Sequence, residues 1–390
     1  MNRLYLHMGT PKTGSTAIQY FLHANSDRLR EAGYFFPDIH ADFPNDTGYA
    51  KMDNKESAYA NGNFIIDAEV LTAWQQGPEA FDEALRYVFP DLVNYYNEVM
   101  GHNETNTDRL VAYIKDKLER SNVILSSENL WTYNYKYLRR FAREFGGRLE
   151  AVVYLRRQDR YVESMWNEVI KVGLVSDPVE EYADFMLHEE NDNHGLRYRK
   201  RLEEICSIIG KEHLQVRLYE SGSLKQHGGI CQDFLSAVGI DPAQQKWEEL
   251  KTDVNERISG PAVNIKRVFN EYLLQNTKSM RDILEQIPES IKKAGGIFCR
   301  ISDAYAGTHP EPDAYLSSSY RKRLEEMFAG DNAYIAREFF GKKEGGPLFA
   351  DNDWTTERNV EPLTMNEEAM LRFFLLLHQA QVADDKRGQG

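Results

Sequence analysis

Residues 4–16 set Gly9, Gly14 and Thr16 at the spacing of a phosphate-binding loop, but Ser15 stands where a nucleoside-triphosphate loop carries its lysine. The lysine lies inside the loop instead, as Lys12 between Pro11 and Thr13. A loop of this kind opening onto a helix turns the backbone N–H groups of Thr13, Gly14, Ser15 and Thr16 toward one point, an arrangement that favours an anion. With the lysine displaced, the expected anion is phosphate-like but not a magnesium-bound triphosphate. A second cluster, Arg156-Arg-Gln-Asp-Arg-Tyr-Val-Glu-Ser164, follows an apolar run and sets Arg156 and Ser164 eight residues apart. A guanidinium fork with a hydroxyl suits a phosphate monoester. The same arginines can instead pair with Asp159 and Glu163 on a solvated helix start. Two residues near these clusters have the chemistry of a general base: Glu128, just beyond the apolar run 123–125, and His7, just before the loop. A carboxylate at 128 can also cap helix donors, and a lone histidine at 7 can be a hydrogen-bonded core residue.

For these residues to meet, the strands that carry them must lie side by side. Short apolar runs recur at 3–8, 122–127, 150–155 and 213–219, separated by amphipathic stretches long enough for crossover helices. That alternation predicts a parallel, helix-covered sheet. Ligands of such sheets bind at the carboxyl ends of the strands, where Lys12, Glu128 and Arg156 would all emerge. Helical spacing extends over 16–30, and 39–63, rich in Asp, Asn, Gly and Pro, reads as a loop region with the composition of a lid. After Asp241-Pro242 the pattern turns helical, over 261–274, 280–293, 317–340 and 366–381. The expected fold is α/β, a P-loop-like three-layer arrangement with a central parallel sheet covered by helices, plus a helical C-terminal part. Its core would span 1–245 with an insert at about 39–120, and 246–390 would be a helical extension packed on it.

Composition narrows the partners. With 61 acidic against 47 basic side chains, the net charge of −14 argues against a general nucleic-acid or anionic-membrane binder, so an anionic ligand requires a local basic pocket. Cys206, Cys231 and Cys299 are scattered and lack metal-ligand spacing, which suits a reducing compartment and gives no metal site. The longest apolar run, 373–377, is far below the ~20 residues of a membrane span. Strand-like residues begin at Arg3, so no signal peptide is expected and the expected location is cytoplasmic.

Taken together, the two anion motifs resemble those of sulfotransferases that use 3′-phosphoadenosine 5′-phosphosulfate (PAPS), in particular the bacterial and carbohydrate-acting branches. Gly9-Thr-Pro-Lys-Thr-Gly-Ser-Thr16 is similar to the family's 5′-phosphosulfate loop, and 155–164 to its 3′-phosphate motif. Fainter echoes fall at Arg217-Leu-Tyr-Glu220, Asp233-Phe-Leu235, Gly239-Ile240, Asn255, Asn332 and Ala336-Arg337. The resemblance implies PAPS as donor, no metal, and an acceptor hydroxyl on a carbohydrate or small molecule. It assigns Pro11, Lys12, Thr13, Gly14, Ser15 and Thr16 to the phosphosulfate, with Lys12 at the leaving oxygen, and Arg156 and Ser164 to the 3′-phosphate. The carbohydrate-acting branch uses a glutamate base, which points to Glu128 and keeps His7 in reserve. Two departures stand out: Gln158 occupies a position where many members have proline, and the glycine-rich basic C-terminal loop of cytosolic members is missing, leaving 255–267 as its substitute. Trp131, Tyr133 and Tyr135 form an aromatic group that would either stack on an acceptor or pack helix against sheet. The competing expectations are a nucleotide kinase or other P-loop NTPase, and a nucleotide-binding scaffold without turnover.

Overall fold

The computed structural model describes residues 1–38, 104–127, 129–132, 135–172, 175–188, 195–249, 258, 261–276, 313–342, 346–350 and 358–359. Five strands form one parallel sheet: β1 (Leu4–His7), β2 (Tyr34–Phe35), β3 (Asn122–Ser126), β4 (Leu149–Leu155) and β5 (Leu214–Leu218), in the order β2-β3-β1-β4-β5. β1 is central, with Leu6 opposite Leu125 on one side and Ala151 on the other. All four strands expected from the apolar runs are present, within a residue or two of the expected bounds. β2, two residues at the sheet edge, is too short to leave a pattern.

The helices in chain order are α1 (Ser15–Ala24), α2 (Ser26–Glu31), α3 (Glu104–Leu118), α4 (Asn129–Thr132), α5 (Lys136–Phe145), α6 (Gln158–Val172), α7 (Val179–Leu187), α8 (Tyr198–Ile209), α9 (Ser221–Gln226), α10 (Ile230–Ala237), α11 (Pro261–Asn276) and α12 (Ser318–Phe340). Every residue of β4 is buried, because helices cover both faces of the sheet. Leu149, Ala151, Val153 and Leu155 join one core with Ile114 of α3, Phe141 of α5 and Leu202 of α8. Val152 and Tyr154, pointing the other way, join a second with Phe21 of α1, Leu29 of α2 and Phe234 of α10. This is the expected α/β three-layer fold. Each such side chain, fully withdrawn from water, contributes roughly 1.5–3 kcal/mol, so the layers are held mainly by these two apolar cores.

The helix expected over 16–30 is two helices. At Asn25 the side chain turns back, donating from Nδ2 to Phe21 O at 2.9 Å and to Glu248 O at 3.0 Å, while Oδ1 accepts from Glu248 N at 2.8 Å. These bonds to a distant segment compete with the helix and break it there.

The chain divides into two compact units. One comprises Met1–Gln158, Glu189–Val254 and Met327–Asp351 and holds the five-stranded sheet; the other comprises Asp159–His188, Asn255–Glu326 and Asn352–Gly390. Within the second unit, Trp166, Ile170, Tyr182, Met186, Val263 and Leu324 are buried. Asn270 Nδ2 donates to Ile170 O and Val175 O, both at 2.8 Å. The buried Glu163 ties α6 to the segment before α12: its Oε1 accepts from Tyr315 N at 2.8 Å, Leu316 N at 2.9 Å and Arg321 Nη2 at 2.6 Å. β6 (Asp313–Ala314) and β7 (Arg358–Asn359) add a two-stranded parallel ladder. The expected helices over 280–293 and 366–381, the loop over 39–63 and Cys299 lie outside the described residues. Among the described residues no helix is long and apolar enough to cross a membrane.

Candidate functional site

β1 ends at His7, and the chain turns tightly through 8–14 into α1. Two left-handed residues make the turn. Gly14, the N-cap of α1, has φ 82° and ψ 15°, and Lys12 has φ 66°, the one positive-φ residue other than glycine among those described. A side chain in that region costs about 1–2 kcal/mol, a strain that persists where surrounding contacts over-determine the backbone. Here the contacts are visible: Thr13 Oγ1 donates to Thr10 O at 2.6 Å, and Thr10 Oγ1 donates to Tyr154 O in β4. Gly14 must be glycine on two counts. Its φ is positive, and a Cβ there would sit 3.1 Å from Tyr219 Cε2 and 3.2 Å from Ile230 Cγ1.

Gly9 has a different reason. A Cβ at this position would lie 2.2 Å from Ser15 Oγ, so its absence leaves the cradle into which the Ser15 hydroxyl points. That hydroxyl is buried and has no hydrogen-bond partner among the described residues. An unsatisfied buried hydroxyl costs about 1–3 kcal/mol. It sits at the first residue of α1, where helical N–H groups also lack intrahelical acceptors. The Ser15 hydroxyl and the N–H groups without intrahelical acceptors, at a helix start with Lys12 in the same turn, form a site that fits an oxygen-rich anion.

Arg156 leaves the carboxyl end of β4 toward the same loop. Its Nη1 donates to Lys12 O at 2.8 Å, its guanidinium lies 5.4 Å from the centre of the Tyr219 ring, and its own carbonyl accepts from Tyr198 OH at 2.7 Å. The structure thus brings Lys12 and Arg156 together, as the topology predicts for residues at neighbouring strand ends. Ser164 is half-buried on α6 in the second unit. On the same helix, Arg160 does pair with Glu163, at 3.6 Å. Gln158, where the resembled family often has proline, exchanges two hydrogen bonds with Asn332 of α12, at 2.9 and 3.2 Å. Proline could make neither.

Glu128 lies outside the described residues; Ser127, just before it, donates its N–H to His7 O at 2.9 Å. His7 is fully buried, with Nδ1 2.8 Å from Ser126 Oγ and its ring against Tyr154 and Phe234. Burial holds its imidazole down at about 3, so it is neutral at ordinary pH. Trp131 and Tyr135 are buried in the apolar core: Trp131 donates to Gly195 O at 3.2 Å and meets Tyr198 edge-on. These two aromatic rings pack helix against sheet; Tyr133 lies outside the described residues. Asn255 does too, while Lys266 and Arg267 are engaged within the second unit, Lys266 with Asn270 and Arg267 with Ser176 O at 2.8 Å.

Sequence reading undervalued Tyr219 and Asp233. Tyr219 follows β5 and touches both Gly14 and Arg156; an aromatic residue at a strand's carboxyl end was the available signal. Asp233 on α10 is buried, accepts from Tyr154 OH at 2.6 Å and from Arg217 Nε at 2.9 Å, and so locks β4, β5 and α10 behind the loop. Burial, then the charge of Asp233, holds the Tyr154 phenol far above its ordinary range. Among the described residues no group of three or more His, Cys, Asp or Glu is placed to hold a metal ion.

No family model matches the chain. An uncharacterized protein of Archaeoglobus fulgidus is 24% identical over 222 residues, 57% of this chain and 54% of the relative, so the chain spans about half the length of the relative it matches. Among solved structures, the sulfotransferase domain from the curacin biosynthetic pathway is similar with a TM-score of 0.35 and 12% identity, covering 65% of this chain and 81% of that one. The sulfotransferase from Alicyclobacillus acidocaldarius is similar with a TM-score of 0.37 and 12% identity, over 71% and 97%.

Proposed function

We propose that the protein is a sulfotransferase that takes a sulfuryl group from PAPS and places it on an acceptor hydroxyl, with a carbohydrate or glycan-like acceptor as the leading class. The observation that carries this reading is the loop: a left-handed Lys12 beside a buried Ser15 hydroxyl that has no hydrogen-bond partner among the described residues, in a cradle with no lysine at position 15. The donor supplies sulfur on a phosphate leaving group, so that one S–O bond breaks as another forms to the acceptor oxygen, in line. Lys12 stabilises the charge left on the phosphate oxygen, and Ser15, Thr16 and the N–H groups from Thr13 onward hold the nonbridging oxygens. Glu128 takes the acceptor proton; of the two candidate bases, His7 is disfavoured by its burial and depressed basicity. Arg156 and Ser164 are assigned to the 3′-phosphate from their spacing in the sequence. No metal is needed for these roles, and a cytoplasmic setting is consistent with the donor.

The test is a thermal shift with adenosine 3′,5′-bisphosphate against ATP and AMP, with and without magnesium. Ligand at a hundredfold excess over its Kd stabilises the native state by about 2.7 kcal/mol, which should raise the melting point for the bisphosphate well above the shift for AMP. Preferential stabilisation by magnesium-ATP with ATP hydrolysis would instead identify a P-loop NTPase. Bisphosphate binding without sulfuryl transfer to any acceptor, and with no effect of Glu128→Gln, would identify a scaffold.

A further inference from the structure

The Arg156 side chain does more than face a ligand. It donates from Nη1 to the carbonyl of Lys12, the residue with the left-handed backbone, at 2.8 Å. Its guanidinium also lies over Tyr219, whose ring edge packs where a side chain on Gly14 would go. Arg156 and Tyr219 thus hold the loop at both of its left-handed residues, from the ends of β4 and β5. The Arg156 backbone is itself held by Tyr198 OH. An arginine suits this double task because its planar fork carries five N–H donors in a fixed geometry.

We propose that Arg156 is a positioning residue for the phosphate loop: its bond to the Lys12 carbonyl fixes the turn that aims the Lys12 amine, so Arg156 supports the 5′ end of the nucleotide as well as any 3′-phosphate. This rests on the reading of the loop as the phosphosulfate site. The two ends of the nucleotide site are then joined through one side chain.

The test uses the full chain and calorimetric titration with two ligands: adenosine 5′-phosphosulfate, which has no 3′-phosphate, and adenosine 3′,5′-bisphosphate. Arg156→Ala is expected to weaken the phosphosulfate about tenfold, the loss of one charge-assisted hydrogen bond, and the bisphosphate by more. In a Lys12→Ala background the same change should cost the phosphosulfate distinctly less, because the amine to be aimed is gone. If Arg156→Ala binds the phosphosulfate as the wild type does and loses only the bisphosphate, the positioning role is overturned and the sulfotransferase reading stands. If the wild type binds neither ligand, the reading of the loop fails, and the positioning role with it. Should Arg156→Ala fail to fold, Arg156→Lys gives the same comparison. A lysine cannot both lie flat on Tyr219 and reach the carbonyl, so a severalfold weaker phosphosulfate is expected, and unchanged affinity overturns the proposal.

Discussion

On the proposed reading, Lys12 holds the chemistry and the strain of the loop in one residue. If its backbone is kept left-handed against its own preference, Lys12→Gly should relieve that cost, leaving the fold as stable as wild type or up to about 1 kcal/mol more stable, while sulfuryl transfer is lost. Lys12→Ala should lose transfer too but keep the strain. Urea unfolding of the two variants decides the point: a Lys12→Gly protein less stable than Lys12→Ala would show that the turn is not strained. At this scale the sequence was informative about identity and silent about state. Ser15 in place of a lysine is readable, and so is the displacement to Lys12. That the Ser15 hydroxyl would be buried without a partner among the described residues, or that Arg156 would bond a carbonyl 144 residues away, depends on contacts with no local pattern.

Elements were legible where burial imposes a period. β4 is apolar but for Glu150, which pairs with Arg3, because both of its faces are covered. The break between α1 and α2 was missed because the bonds that make it come from Glu248, 223 residues along the chain. The alternative reading of the 156–164 cluster was a solvated helix start of paired charges; Arg160 does pair with Glu163, but Glu163 is buried, with Arg321 at 2.6 Å. Glu163→Gln keeps an acceptor for the Tyr315 and Leu316 N–H groups but takes the carboxylate from Arg321. Removing one partner of a buried pair costs about 3–5 kcal/mol. The loss should appear as an earlier urea midpoint, and Glu163→Gln combined with Arg321→Met should recover much of it. A single-variant loss below about 1 kcal/mol would show that the charge of Glu163 matters little there.

The molecule as a whole has a titration built into its central strand. His7 is held at about 3 by burial, against an ordinary 6.5. Between those values the unfolded chain takes up a proton that the folded chain refuses, so stability falls as pH falls through this window, by up to about 1.4 kcal/mol per pH unit. Unfolding free energies at pH 7.5 and 5.5 should differ by roughly that amount from this group, and a His7→Asn variant should lack its share; equal acid sensitivity in both would place the proton elsewhere. The division into units was the least legible feature, since periodicity reports how a segment is buried and not which core receives it. Its consequence concerns biosynthesis. β1 and the loop come far ahead of Met327–Asp351 along the chain, yet the unit that holds them includes that segment, with Ile335, Ala336, Leu348 and Phe349 in its core. At about 5–20 residues per second, β1 waits tens of seconds before these later core side chains exist. The loop is therefore made long before the unit that holds it can close its core.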